Sequence, residues 1–140
     1  MVQKDEKVWE ENGRAIRALF KDMGGSKPFE IRRTKKGCVL CVRKGEIQIP
    51  IMQLWPTPMD RLETRMQYVE EKIVLTDEMR LGWGSSLKDH ARFKPTSGTK
   101  GNMKLIFGRQ VDRRMTGDDL VALTRILRGI AQDILAAECN

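Results

Sequence analysis

The sequence predicts an α+β fold, an antiparallel β-meander sheet with helices packed on one face, in the order α-βββ-α-ββ(β)-α. Three observations carry this. Apolar residues recur at helical spacing near both ends of the chain, they alternate with period two between those ends, and the connections between the alternating runs are too short for parallel crossovers. A chain of 140 residues fits one domain, taken as residues 1–140.

From Asp5 to Met23 the positions Trp9, Ile16, Leu19, Phe20 and Met23 form a helical stripe, and Gly24-Gly25 supplies the stop. The period then changes to two. Phe29 and Ile31 alternate with Glu30 and Arg32, Gly37 closes a turn, Cys38 to Val42 is a near-continuous apolar run, and Lys44-Gly45 fits a tight hairpin. Ile47, Ile49 and Ile51 alternate with Glu46, Gln48 and Pro50, and the proline predicts that the third strand ends there or lies at an edge.

Thr57-Pro58, with Asp60 behind it, has the form of a helix N-terminus, and Met59, Leu62, Met66 and Val69 continue at helical spacing, so a second helix is expected from Thr57 to about Glu71. Lys72 to Thr76 resembles a short strand, Leu81 to Ser86 loses periodicity, and Ala91 to Lys94 reads as strand. Pro95 to Gly101 consists of turn formers and reads as a loop, followed by a strand in which Met103, Leu105 and Phe107 alternate with Lys104. Thr116-Gly117-Asp118-Asp119 begins the last helix, with Leu120, Leu123, Ile126, Leu127, Ile130, Ile134 and Leu135 on its apolar face. That stripe is wide enough to cover a sheet and to leave surface for a second copy of the chain, so a homodimer through this helix is expected.

The net charge is +7, and its placement is informative. Residues 1–25 carry five basic against five acidic groups, whereas residues 26–56 carry seven against two and residues 88–115 eight against two. The excess therefore falls on strand and loop segments. Arg32, Arg33, Lys35 and Lys36 crowd one turn, Arg43 and Lys44 the next, and Lys94, Lys100, Lys104, Arg109, Arg113 and Arg114 surround the glycine loop. Clustered cations bind phosphate backbones through counterion release. Trp55, Trp83 and Phe93 are interleaved with them, and exposed rings in basic grooves stack unpaired bases. The glycines beside Trp83 either leave that ring exposed for stacking or let a turn tuck it inward.

The remaining chemistry is sparse. Three cysteines and the single His90 supply the donors of a Cys₃His zinc site, but Cys38-Val39-Leu40-Cys41 reads as strand, where residues three apart point to opposite faces, so no metal is expected. An odd cysteine count without framework spacing fits reduced thiols in the cytoplasm or nucleus, and no apolar run approaches the roughly 20 residues that span a bilayer. Ser97-Gly98-Thr99-Lys100-Gly101 lacks phosphate-loop spacing and precedes a strand instead of a helix. Asp118 and Asp119 are accounted for by capping, and His90 has no nucleophile motif beside it. The expectation is a cofactor-free, non-enzymatic protein that binds single-stranded or structured RNA or DNA, its distant cations converging on one face. The alternative is an assembly factor of viral or phage type whose basic face meets an acidic protein.

Overall fold

The computed structural model describes residues 2–35, 37–55, 61–90, 94–97, 102–106 and 114–140. In chain order the elements are α1 (Val2–Gly24), β1 (Phe29–Thr34), β2 (Gly37–Lys44), β3 (Ile47–Leu54), β4 (Arg61–Thr64), α2 (Met66–Lys72), α3 (Asp77–Lys88), β5 (Lys94–Ser97), β6 (Met103–Ile106) and α4 (Gly117–Ala136). The strands form one six-stranded sheet, ordered β1-β2-β3-β4-β6-β5, in which every neighbouring pair is antiparallel. Strands β1 to β4 run as a meander. The β5–β6 hairpin joins it through its second strand, leaving β1 and β5 as the edges.

Pleating assigns the faces. Phe29 and Ile31 of β1, Cys38, Leu40 and Val42 of β2, Ile49, Met52 and Leu54 of β3, Leu62 of β4 and Leu105 of β6 share the side that packs against Ile16 and Phe20 of α1, Val69 of α2, Trp83 and Leu87 of α3, and Leu123, Leu127, Ile130 and Ile134 of α4. Fully burying each large apolar side chain is worth about 1.5–3 kcal/mol, and this shared layer is the core. All four described helices lie on that side, as the alternation predicts. Among the described residues, no helix is long and apolar enough to cross a membrane.

Five expectations change. First, β3 continues through Pro50 to Leu54 as a central strand. The register between β2 and β3 shifts at Leu40/Cys41, so Ile51 is an extra residue opposite that step, and a bulge tolerates the missing proline N–H. The shift also swaps parity: Ile49 faces the helices before it, and Met52 and Leu54 face them after it. Second, the helix expected from Thr57 is instead β4 followed by α2. Leu62 and Thr64 alternate with Arg61 and Glu63 as well as they fit a helical stripe, and Leu62 pairs with Leu54 on one side and Leu105 on the other. The N-cap expected at Thr57-Pro58 lies outside the described residues.

Third, the strand expected at Lys72 to Thr76 is reduced to a bridge between Ile73 and Cys139. Asn140 donates its side-chain amide to the carbonyls of Glu70 and Ile73, tying the chain's last residues to this turn. Fourth, Leu81 to Ser86 is helical within α3. The Thr76 hydroxyl caps that helix by accepting from Met79 N at 3.1 Å, with Asp77 and Glu78 in its first turn. Fifth, Pro95 to Ser97, expected to begin a loop, are strand, since Lys94 to Ser97 pair with β6. Residues 98–101, with Ala91 to Phe93 and Phe107, are outside the described set.

Helix α4 starts where expected, with Thr116 and Asp119 forming a reciprocal capping box. Thr116→Ala is expected to lower stability by about 1 kcal/mol, and Leu40→Ala, in the centre of the core, by about 2–5 kcal/mol. Urea unfolding with an unchanged slope and a lower midpoint checks both.

Candidate functional site

Strand β1 places successive basic residues on opposite sides of the sheet, Arg32 on the helix-free side and Arg33 on the helix side. On the helix side, Arg33 meets α1. Arg14, Arg17 and Lys21 recur there at i, i+3 and i+7, which stacks them along one stripe of the helix. The turn between β1 and β2 brings Lys35 alongside. Gly37 has φ of 104°, a conformation that residues with a Cβ rarely adopt, and the Thr34 hydroxyl donates to its carbonyl at 3.2 Å. Between helix and turn lies a groove of about 660 Å³, lined by Arg14, Arg17, Lys21, Arg33 and Lys35, with Ala18, Ile31, Thr34, Gly37 and Cys38 completing its walls. Among the described residues no carboxylate lines it, and the nearest acid on that helical stripe, Glu10, stands one turn further back. Burial pushes the Cys38 thiol above its ordinary pKa, while the positive charge of Arg17 and Arg33 pulls it back.

The helix-free face is polar. Glu30 Oε1 accepts from Arg43 Nη2 at 2.7 Å, from Arg43 Nε at 3.0 Å and from Gln48 Nε2 at 2.8 Å, while Gln48 Oε1 accepts from Arg32 Nη2 at 2.7 Å. This network spans β1, β2 and β3 and passes over the row of β2 that holds Val39 and Cys41, which explains why Cys41 is 0 % exposed on a face that none of the described helices covers. Arg43, then Gln48, hold the Glu30 carboxyl below its usual pKa, and burial raises that of Cys41. Arg43 is thereby neutralised. Arg32 is exposed, and its partner is a neutral amide rather than a carboxylate.

Further along the same face, Trp55 Nε1 donates to Glu63 Oε1 at 3.1 Å, Arg61 Cζ stands 4.6 Å from the Trp55 ring centroid and Arg65 Cζ 5.9 Å from it. Arg65 also reaches Glu63 Oε2 at 3.5 Å, and Lys104 of β6 lies opposite Glu63 in the ladder. Arg65 thus pairs with that carboxylate, Arg61 stacks on the ring it holds, and Lys104 flanks it across the ladder.

The single basic face expected from the sequence is instead two surfaces on opposite sides of β1. Arg33 and Lys35 belong to the groove, Arg32, Arg43 and Lys104 to the helix-free face. Lys44 belongs to neither, because it donates to the Leu135 carbonyl at 2.7 Å and closes the end of α4. Arg114 is 68 % exposed but pairs with Glu11 of α1 at 2.9 Å. Lys94 opens β5 opposite Ile106. Lys36, Lys100, Arg109, Arg113 and Phe93 lie outside the described residues. Trp83 is not a stacking ring: it is 6 % exposed, inside α3, and donates to Asp133 Oδ2 of α4 at 2.7 Å. The glycines beside it are helical residues and do not form a turn. His90 is buried, one ring nitrogen 3.0 Å from the Asp119 carbonyl, and Cys38 and Cys41 point to opposite faces.

Sequence reasoning missed Arg14, Arg17, Lys21, Arg61 and Arg65. The first three sit in a segment whose net charge is zero, yet their spacing was visible and marks a cationic stripe. No protein-family model, curated protein or solved structure matches the chain.

Glu30 has a lowered folded pKa, so its contribution to stability is complete above the ordinary carboxylate pKa and is lost as pH falls through the lowered value. Glu30→Gln should therefore lose less thermal stability than the native chain between about pH 6 and about pH 3, as read by circular dichroism. With a thiol reagent, Cys139 should react in the folded protein and Cys38 and Cys41 only on unfolding, since the last two are buried with disfavoured thiolates.

Proposed function

We propose that this chain binds nucleic acid, engaging the phosphate backbone in the groove between α1 and the β1–β2 turn. The observation that carries the reading is the convergence there of five cations from a helix, a strand and a turn, with no carboxylate among the described lining residues. Paired surface charges are common and weak, but like charges held together repel one another, and a polyanion relieves that repulsion while releasing its counterions. Arg32 and the cations around Glu63 extend the positive surface around the β1 edge and across the helix-free face. The groove recognises charge and carries no base-reading geometry of its own, so affinity is electrostatic and tolerant of sequence.

The alternative, an assembly factor that docks an acidic protein and pairs through its last helix, draws on the same cations. For self-association, α4 offers exposed Val121 and Leu135, about four turns apart and outside the residues that pack on the sheet.

The test is fluorescence anisotropy with a labelled oligonucleotide across a salt series. Arg17→Glu combined with Arg33→Glu should weaken binding severely and flatten the slope of log affinity against log salt by about 1.4–1.8, at roughly 0.7–0.9 per lost phosphate contact. Binding that survives this double reversal unchanged overturns the groove as the site.

A further inference from the structure

We propose that Trp55 and Arg61, at the end of the β3–β4 ladder, form a stacking site for one unpaired base, which rests on the nucleic-acid reading and adds selectivity to it. Trp55 N donates to the Arg61 carbonyl at 2.9 Å, so the two residues oppose each other one step beyond the Leu54 and Leu62 pair, on the helix-free face. The indole is held in place before any ligand arrives. Its N–H is bound by Glu63, a carboxylate whose residue is only 3 % exposed and whose other oxygen takes Arg65.

Arg61 lies at stacking distance from this ring, and among the described residues its buried Nε has no hydrogen-bond partner and its guanidinium no ion pair. Its placement therefore comes from the indole face and not from a carboxylate, which leaves its charge available to a ligand. A buried N–H without a partner calls for a physical reason, and a ligand-facing cation stack supplies one. Trp55 is only half-buried, so part of it is still open to solvent. A base laid on the outer side of the guanidinium would extend the pair to three layers with the cation inside, and every base has the π-face this needs. Bases already stacked within a duplex cannot enter. Lys104, opposite Glu63 and half-buried, is in reach of the backbone of a strand placed there.

The experiment compares, on the wild-type chain at low salt, a labelled thymidine strand of about twelve nucleotides with an abasic strand of the same length and charge. One stacked base should make the abasic strand bind about 5- to 100-fold more weakly. Arg61→Lys keeps the charge and removes the planar group, so within that variant the thymidine strand should lose most of its advantage over the abasic strand, with the circular dichroism spectrum unchanged. Equal affinity of the wild type for the two strands, or a difference that survives in Arg61→Lys, overturns the stacking site and leaves the electrostatic reading standing. If neither strand binds at low salt, the nucleic-acid reading falls and the stacking site with it.

Discussion

The two-sidedness of the β1–β4 meander is the constraint on which the rest of the molecule depends. Antiparallel strands expose alternate residues to opposite sides, so a register that turns Leu40 and Val42 toward the helices turns Val39 and Cys41 away from them. A slip of one residue would exchange these rows. The bulge at Ile51 protects the arrangement, because the apolar sequence of β3 changes phase at that point and an unbroken ladder would send either Ile49 or Met52 to the polar side. The bulged segment also sets the following elements: the Ile51 carbonyl accepts from Arg65 N at 3.0 Å, fixing where α2 begins and where the Arg65 side chain starts.

Much of this was legible in the residues. Helices α1 and α4 announce themselves by periodicity and caps, and Thr116 with Asp119 behaves as its spacing dictates. Strands β1 and β2 follow from alternation and from glycines at turns. The failures share a cause. Between Met59 and Val69 the same apolar residues satisfy both a helical and a strand period, and only the partners Leu54 and Leu105, distant in sequence, decide for strand around Leu62. In Leu81 to Ser86 the glycines weaken the helical signal, while tertiary burial of Trp83 against α4 holds the helix together.

The site was less legible than the fold. Averaging charge over segments concealed α1, where a balanced total hides a stripe of three cations, because a helix sorts residues by angle and not by position. It also overstated Arg43 and Lys44, whose charges are absorbed within the chain by Glu30 and by the end of α4. Cross-strand partners such as Glu30 and Gln48 are eighteen residues apart, and nothing local in the sequence joins them.

Strand β1 is an edge, and its outer backbone groups have no ladder partner among the described strands. Such edges recruit strands from other molecules unless something repels them. With Arg32 above and Arg33 below, any identical strand approaching in register brings like charges together on both sides of the sheet. The cations flanking this strand thus discourage fibre-like growth of the sheet, so a variant stripped of them would be expected to precipitate for reasons unconnected with any ligand.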